Sequence, residues 1–234
     1  TPTTTLTAIR EAALAKVRQS ETPSLIQENR RLHRFLVEGV PIEVRRDSGE
    51  ISGVNVRLVD LDDASANEWL AVNQYTVIEN HANRRPDIVT FVNGLPIGVI
   101  ELKNPGDENA TVEGAYNQLQ TYKAQIAALF RTNGVLVASD GLTARVGSLT
   151  ADFERFMPWR TVTGDDLAPR GTPEIDTLIK GVFEPRRFLD MMRDFVVFGD
   201  LNGHEVKILA GYHQFHAVRR AIDCTLDATS PDGD

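Results

Sequence analysis

The sequence predicts a mixed α/β fold, on three observations. Two stretches near the start repeat apolar residues with helical period. Between residues 40 and 105 the apolar runs are strand-length and separated by turn residues. A helix-length segment then falls between two further apolar strands, as a crossover requires. The order helices, strands, crossover helix, strands suits an α/β domain ending near residue 160. At 234 residues the chain has room for one large domain or two small ones.

Taken in order, residues 5 to 19 carry Leu6, Ile9, Ala13 and Val17 at helical spacing. "SLIQENRRLHRFLVEG" (24–39) repeats the pattern, with Ser24 as N-cap and Gly39 as stop. "VPIEVRR" and "GVNVRLVD" read as strands joined by the turn residues of "DSGE". "NQYTVIE" (73–79) reads as a further strand, leading into the core hairpin "RPDIVTFVNGLPIGVIELKNP" (85–105). A loop, "GDEN", then introduces a helix of about twenty residues, "ATVEGAYNQLQTYKAQIAALF". The strands "GVLVASD" and "TARVGSL" follow. "TGDDLAPRGTP" (163–173) has linker composition. Beyond it "PEIDTLIKGVF" and "PRRFLDMMRDFVVF" read as helices, with Thr172 and Pro173 at the N-cap and first turn. The tail from His204 reads as a strand and a helix that fade into polar residues. The division expected is 1–160 and 161–234.

No apolar run reaches about eighteen residues, which excludes a helical membrane span from the sequence. The opening residues lack a basic segment followed by an apolar one, so no signal peptide is expected. A single cysteine, Cys224, rules out an internal disulfide and fits a reducing cytoplasm. The net charge of −8 argues against a generally nucleic-acid-binding surface but leaves room for a local basic cleft. Arginine pairs at 30–31, 45–46, 84–85, 186–187 and 219–220 are candidate phosphate contacts or simply solvated charge.

The apolar hairpin is interrupted by Asp87 where its first strand begins and by Glu101 and Lys103 where its second ends. Residues two apart on a strand share a face, so Glu101 and Lys103 point the same way. Asp87 joins them only if the loop is odd in length or a bulge intervenes, because a plain two-residue Asn93-Gly94 turn sets it opposite Ile100. A three-residue loop, Val92-Asn93-Gly94, pairs Phe91 with Leu95 and sets Asp87 opposite Val99, diagonal to Glu101. Two carboxylates and a backbone carbonyl, that of Leu102, form an oxygen-only site of the kind Mg²⁺ accepts, with Mn²⁺ as substitute. An adjacent ammonium, Lys103, suits hydrolysis of a phosphodiester. The same residues also fit a turn cap and an exposed ion pair, which leaves a non-catalytic reading open. Nothing suggests Ser-His-Asp or Cys-His chemistry, a flavin or a nicotinamide.

The hairpin resembles the PD-(D/E)xK nuclease motif of the restriction (R) subunits of type I restriction-modification enzymes. "NRRLHRFLVEGVPIEV" (29–44), "NQLQTYK" (117–123), which holds a Gln-x-x-x-Tyr element, and "NGVLVASDG" (133–141) resemble the family's neighbouring segments. The resemblance implies a restriction-endonuclease-like mixed sheet flanked by helices. It implies Asp87 and Glu101 as metal ligands, Lys103 as the catalytic lysine, and Gln118 and Tyr122 beside them for DNA contact or active-site support. Arg84 and Arg85, just before Asp87, would then lie where double-stranded DNA runs. Glu28 and Glu38 are candidates for an additional upstream acid, although solvated helix charges explain both.

"ILAGYHQFHAVRRAI" (208–222) resembles the segment before the nucleotide-binding loop of the DNA-translocating motor, where Gln214 would read the adenine of ATP. No G-x-x-x-x-G-K-[ST] loop occurs in the chain. The resemblance therefore implies that 161–234 is a mostly helical connector and the beginning of a motor domain in a longer subunit. Its partners would be a methyltransferase (M) and a specificity (S) subunit. His213 and His216 share a helix turn but lack a third metal ligand. The rival readings are another PD-(D/E)xK repair nuclease and a nuclease-like module that only docks DNA or subunits.

Overall fold

The structure is a computed structural model and describes residues 5–104, 106 and 111–229. Two helices open it. In α1 (Leu6–Arg18) the hydroxyl of Thr5 accepts from the Ala8 N–H, which satisfies one of the free amides of the first turn. In α2 (Leu25–Glu38), Ser24 holds the N-cap position without bonding through its side chain, and Gly39 ends the helix at φ +86°. Their apolar faces close over an antiparallel hairpin, β1 (Val40–Arg45) and β2 (Ile51–Val56). Ala13, Val17, Leu32, Phe35, Val40 and Ile42 form that small core.

The chain then gives β3 (Trp69–Asn73), a short hairpin of β4 (Val77–Glu79) and β5 (Ala82–Arg84), and the central hairpin of β6 (Ile88–Val92) and β7 (Leu95–Leu102). The helix α3 (Val112–Gln125) crosses over to β8 (Val135–Ser139), and β9 (Ala144–Gly147) turns back. These elements build a five-stranded sheet in the order β3-β6-β7-β8-β9. Only β7 and β8 run parallel, as the helical crossover between them demands.

The sheet is covered on both faces, which is why β8 is buried along its whole length. On one face Val89, Val99 and Leu136 pack against Ala115, Leu119 and Tyr122 of α3. On the other, Ile97, Ile100 and Val137 meet Leu178 and Phe188 from α4 (Glu174–Val182) and α5 (Pro185–Asp194). A last hairpin, β10 (Val196–Leu201) and β11 (His204–Leu209), and α6 (Tyr212–Thr229) complete the described residues. The fold is thus mixed α/β with a multi-strand mixed sheet and six α-helices among the described residues.

Several local expectations are corrected. The predicted twenty-residue helix is shorter: α3 ends at Gln125, and Ala127–Phe130 form a 3₁₀ turn. Burying Ile126, Leu129 and Phe130 together tightens the backbone there. "NQYTVIE" is not one strand, because the chain turns at Gln74 with φ +52° between β3 and β4. The helix expected through "VVF" stops at Asp194, and Val196–Phe198 pair with β11 instead. The segment after residue 161 therefore carries a hairpin as well as three helices. Pro173, not Thr172, caps α4, with no side-chain bond. Of the predicted loop 106–109, residues 107–109 lie outside the described residues, as does Ala110, the first residue of the helix expected after it.

Candidate active site

The central hairpin closes through Asn93 and Gly94 at φ +49° and +78°, a two-residue turn with Val92 paired to Leu95. Both residues need the left-handed region that Asn and Gly adopt most readily. The three-residue loop is thus not formed. The register nevertheless shifts, because Thr90 pairs with Gly98 and Phe91 with Pro96, leaving Ile97 as the extra residue of a β-bulge. Pro96 has no N–H for the ladder, and Ile97 is 2% exposed with its carbonyl accepting from the Gly134 N–H at 2.7 Å. Beyond the bulge Ile88 faces Ile100, so Asp87, the residue before, comes level with Glu101 rather than with Val99. The bulge was the second of the two devices the sequence allowed.

Asp87, Glu101 and Lys103 consequently share the face covered by α3. The Nζ of Lys103 lies 3.4 Å from Oε1 of Glu101, and its side chain is 31% exposed, so the ammonium opens to solvent. Glu101 is 5% exposed and its Oε2 has no hydrogen-bond partner. Burial, and then the charge of Asp87, push its carboxyl above the usual carboxylate range, while Lys103 and Tyr122 pull it down. The Asp87 carboxylate is held from two sides, by the turn after β3 and by the end of β7. Its Oδ2 accepts from the Leu102 N–H at 2.9 Å and its Oδ1 from Nε2 of Gln74 at 2.7 Å.

Tyr122 is buried with its phenol directed at Glu101, and Gln118, one turn earlier on α3, bonds the phenol in turn. Burial and the Glu101 charge hold this phenol protonated, well above its usual range. The pair predicted from Gln-x-x-x-Tyr spacing therefore reaches the acidic centre, with Tyr122 in contact and Gln118 behind it. Arg84 turns elsewhere, donating through Nε to Gln125 at the end of α3, whereas Arg85 is exposed.

An unpartnered buried carboxylate oxygen beside a second carboxylate is the donor set a hard cation completes. Among the described residues no group of three or more His, Cys, Asp or Glu could hold a metal, so a cation here would depend on two carboxylates, main-chain oxygen and water. Glu28 is committed elsewhere. Its Oε1 accepts from the N–H groups of Glu21 and Thr22, and its Oε2 from Arg31 and Arg131. Burial raises its pKa, but these donors outweigh it and hold the carboxyl at about 2. Glu38 is exposed at the end of α2.

Gln214 sits in the first turn of α6, where its Oε1 accepts from the Gly211 N–H at 2.9 Å. His216 packs edge-on to Trp159 and Phe215, and His213 is exposed. Cys224 is an exposed residue of α6. No helix among the described residues is long and apolar enough to cross a membrane. The residue that sequence reasoning missed is Gln74. It lies in a run read as continuous strand, and no spacing in the sequence connects it to Asp87 thirteen residues on.

Residues 3–155 match the family model for the type I restriction enzyme R protein N terminus. The chain is 42% identical over 232 residues to the HindI type I restriction enzyme endonuclease subunit of Haemophilus influenzae, covering 96% of this chain and 22% of that protein. It is 32% identical over 225 residues to a putative type I restriction enzyme endonuclease subunit, MjaIXP, of Methanocaldococcus jannaschii, covering 88% and 21%. The EcoprrI endonuclease subunit of Escherichia coli is 26% identical over 163 residues. The chain spans about a fifth of the length of the first two relatives.

Proposed function

The chain belongs to the type I restriction enzyme R protein N-terminus family, and on that footing we propose that it is the Mg²⁺-dependent DNA endonuclease region of such a subunit. One observation carries the reading. Asp87, just before β6, comes level with Glu101 of β7 on one face, and a buried oxygen of Glu101 lacks a hydrogen-bond partner. A module that only docks DNA or subunits has no use for that costly arrangement, which disfavours the non-catalytic alternative.

In this proposal Asp87, Glu101 and the Leu102 carbonyl hold Mg²⁺, or Mn²⁺ in its place. When bound, the ion supplies a water of lowered pKa and neutralises charge at the scissile phosphate. Lys103, half in solvent beside Glu101, orients the attacking water by hydrogen bonding and offsets the charge that grows on the phosphate oxygens. Tyr122 fixes the Glu101 carboxylate from behind, and Gln118 fixes Tyr122. Arg85, exposed next to the acidic centre, is the better placed of the two arginines for the DNA backbone; Arg84 acts through the position of α3.

The finer organisation belongs to the same proposal. Residues 1–160 are a restriction-endonuclease-like domain, and 161–234 lead into an ATP-driven translocating motor in the longer subunit. There Gln214 would exchange its bond to Gly211 for the adenine edge. The M and S subunits, with double-stranded DNA in the cytoplasm, complete the complex.

The test is calorimetric titration of Mg²⁺ and Mn²⁺ into this chain and into Asp87→Ala and Glu101→Ala, followed by nicking of supercoiled DNA by the full complex carrying each change. Loss of metal binding and of nicking in both variants is expected. Nicking that survives either change rules the centre out.

A further inference from the structure

Gln74 is unusual in its backbone. Among the described residues, the other non-glycine positions with positive φ are Asn80, Asn93 and Asn202. Asparagine tolerates the left-handed region because its short amide bonds locally, whereas a longer side chain gains nothing there. Gln74 at φ +52° is held by a single residue at both of its ends. Its N–H donates to the Asp87 carbonyl at 2.7 Å, and its side-chain Nε2 donates to the Asp87 Oδ1, also at 2.7 Å. The main-chain bond seats Asp87 beside β3, and the side-chain bond sets how its carboxylate is turned.

The opposite oxygen, Oδ2, is held from β7 by the Leu102 N–H at 2.9 Å. Asp87 precedes β6, whose sheet neighbours are β3 and β7. One donor thus comes from the turn that ends β3 and the other from β7, and the carboxylate can rotate only if one bond breaks. Each carboxylate oxygen has two acceptor sites, so one per oxygen remains for a cation. Glu101, on the next strand, has its own unpartnered oxygen, Oε2.

The geometry points to Gln74 as a positioning residue for the metal centre: its amide turns the Asp87 carboxylate so that Asp87 and Glu101 address one divalent cation. This rests on the nuclease reading above and adds to it a residue outside the D…ExK spacing. Left-handed backbone at a residue type that seldom adopts it is retained where an arrangement depends on it. Donors to metal-ligating carboxylates typically change metal affinity 10- to 100-fold when removed.

Two variants separate side chain from backbone. Gln74→Gly removes the amide and relieves the left-handed backbone, so the fold gains or keeps its thermal stability. Gln74→Met keeps the length and the backbone demand but has no donor. Mn²⁺ affinity is measured on the 234-residue chain by calorimetry, with thermal melting alongside and Asp87→Ala as reference. The expected result is a roughly 10- to 100-fold weaker Mn²⁺ affinity in both Gln74 variants, with the melting temperature of Gln74→Gly not reduced. The proposal is overturned if either variant binds Mn²⁺ within about twofold of wild type while Asp87→Ala abolishes binding. Wild-type protein that binds no Mn²⁺ at millimolar concentration sinks the metal reading itself, and this inference with it.

Discussion

The backbone N–H of Leu102 donates to the carboxylate of Asp87 at 2.9 Å, tying the entry of one central strand to the exit of the next. Asp87 is fifteen residues earlier in the chain, and the two meet only because Ile97 bulges out of the ladder between them. Without that extra residue Asp87 would fall opposite Ile100, on the other face of the sheet. The acidic centre therefore depends on a backbone irregularity, and its energetics follow from what that irregularity buries.

Glu101 is buried, and burial and the charge of Asp87 outweigh what Lys103 and Tyr122 offer its charged form, so function and stability conflict there. Glu101→Gln is expected to raise the apo protein's melting temperature by a few degrees, because the neutral amide removes the burial penalty. It is expected to lower DNA nicking by the complete complex roughly 10³-fold, about 4 kcal/mol of transition-state stabilisation. Melting curves and a plasmid-nicking assay check both signs.

Tyr122→Phe leaves the ring in the core and removes only the hydroxyl directed at Glu101. Nicking is expected to fall about tenfold, the worth of one such bond, with a small change in stability. A variant as active as wild type would take the phenol out of the centre.

Glu28 dominates acid sensitivity at the α1–α2 junction. Its folded pKa of about 2 lies below the ordinary 4.5, so its contribution is complete above pH 4.5 and is lost as pH falls towards 2. Glu28→Gln, which leaves Arg31 and Arg131 without their shared anion, is expected to cost about 3 kcal/mol at neutral pH. The gap from wild type should narrow steadily below pH 4.5 in urea denaturation, and a gap that stays constant would remove the ion-pair account.

Lys207 is a buried ammonium bonded to Oδ1 of Asn29 and the carbonyl of Asn133 and lying over the Phe198 ring. Burial lowers its pKa to about 7, and the same burial, with the Lys207 charge, lowers the neighbouring His33 to about 3. The folded state binds fewer protons at this site than the unfolded chain between pH 7 and 10.5. Its cost is thus full below pH 7 and fades as pH rises to 10.5. Relative to Lys207→Met, wild type is expected to gain on the order of a few kcal/mol between pH 7 and 10. A flat difference across that window would show the ammonium to be free of burial cost.

Much of the architecture is local and was legible from the sequence. The bounds of α1 and α2, the stop at Gly39, and the hairpin around Asn93-Gly94 follow from periodicity and turn chemistry that act within a few residues. So did the presence of Asp87, Glu101 and Lys103 at the ends of adjoining strands, and the spacing that sets Gln118 and Tyr122 on one helix face. The tertiary structure decided the rest. The bulge at Ile97 answers to burial and to a bond from Gly134, thirty-seven residues away. The strand at Val196–Phe198, in residues that favour extended structure, is completed by pairing with β11. Arg84 is drawn to Gln125 and Gln74 to Asp87 by contacts that no sequence period encodes. Propensity and periodicity describe what a segment prefers alone. Register, carboxylate orientation and the choice among competing partners are set only when distant segments bury the same surface.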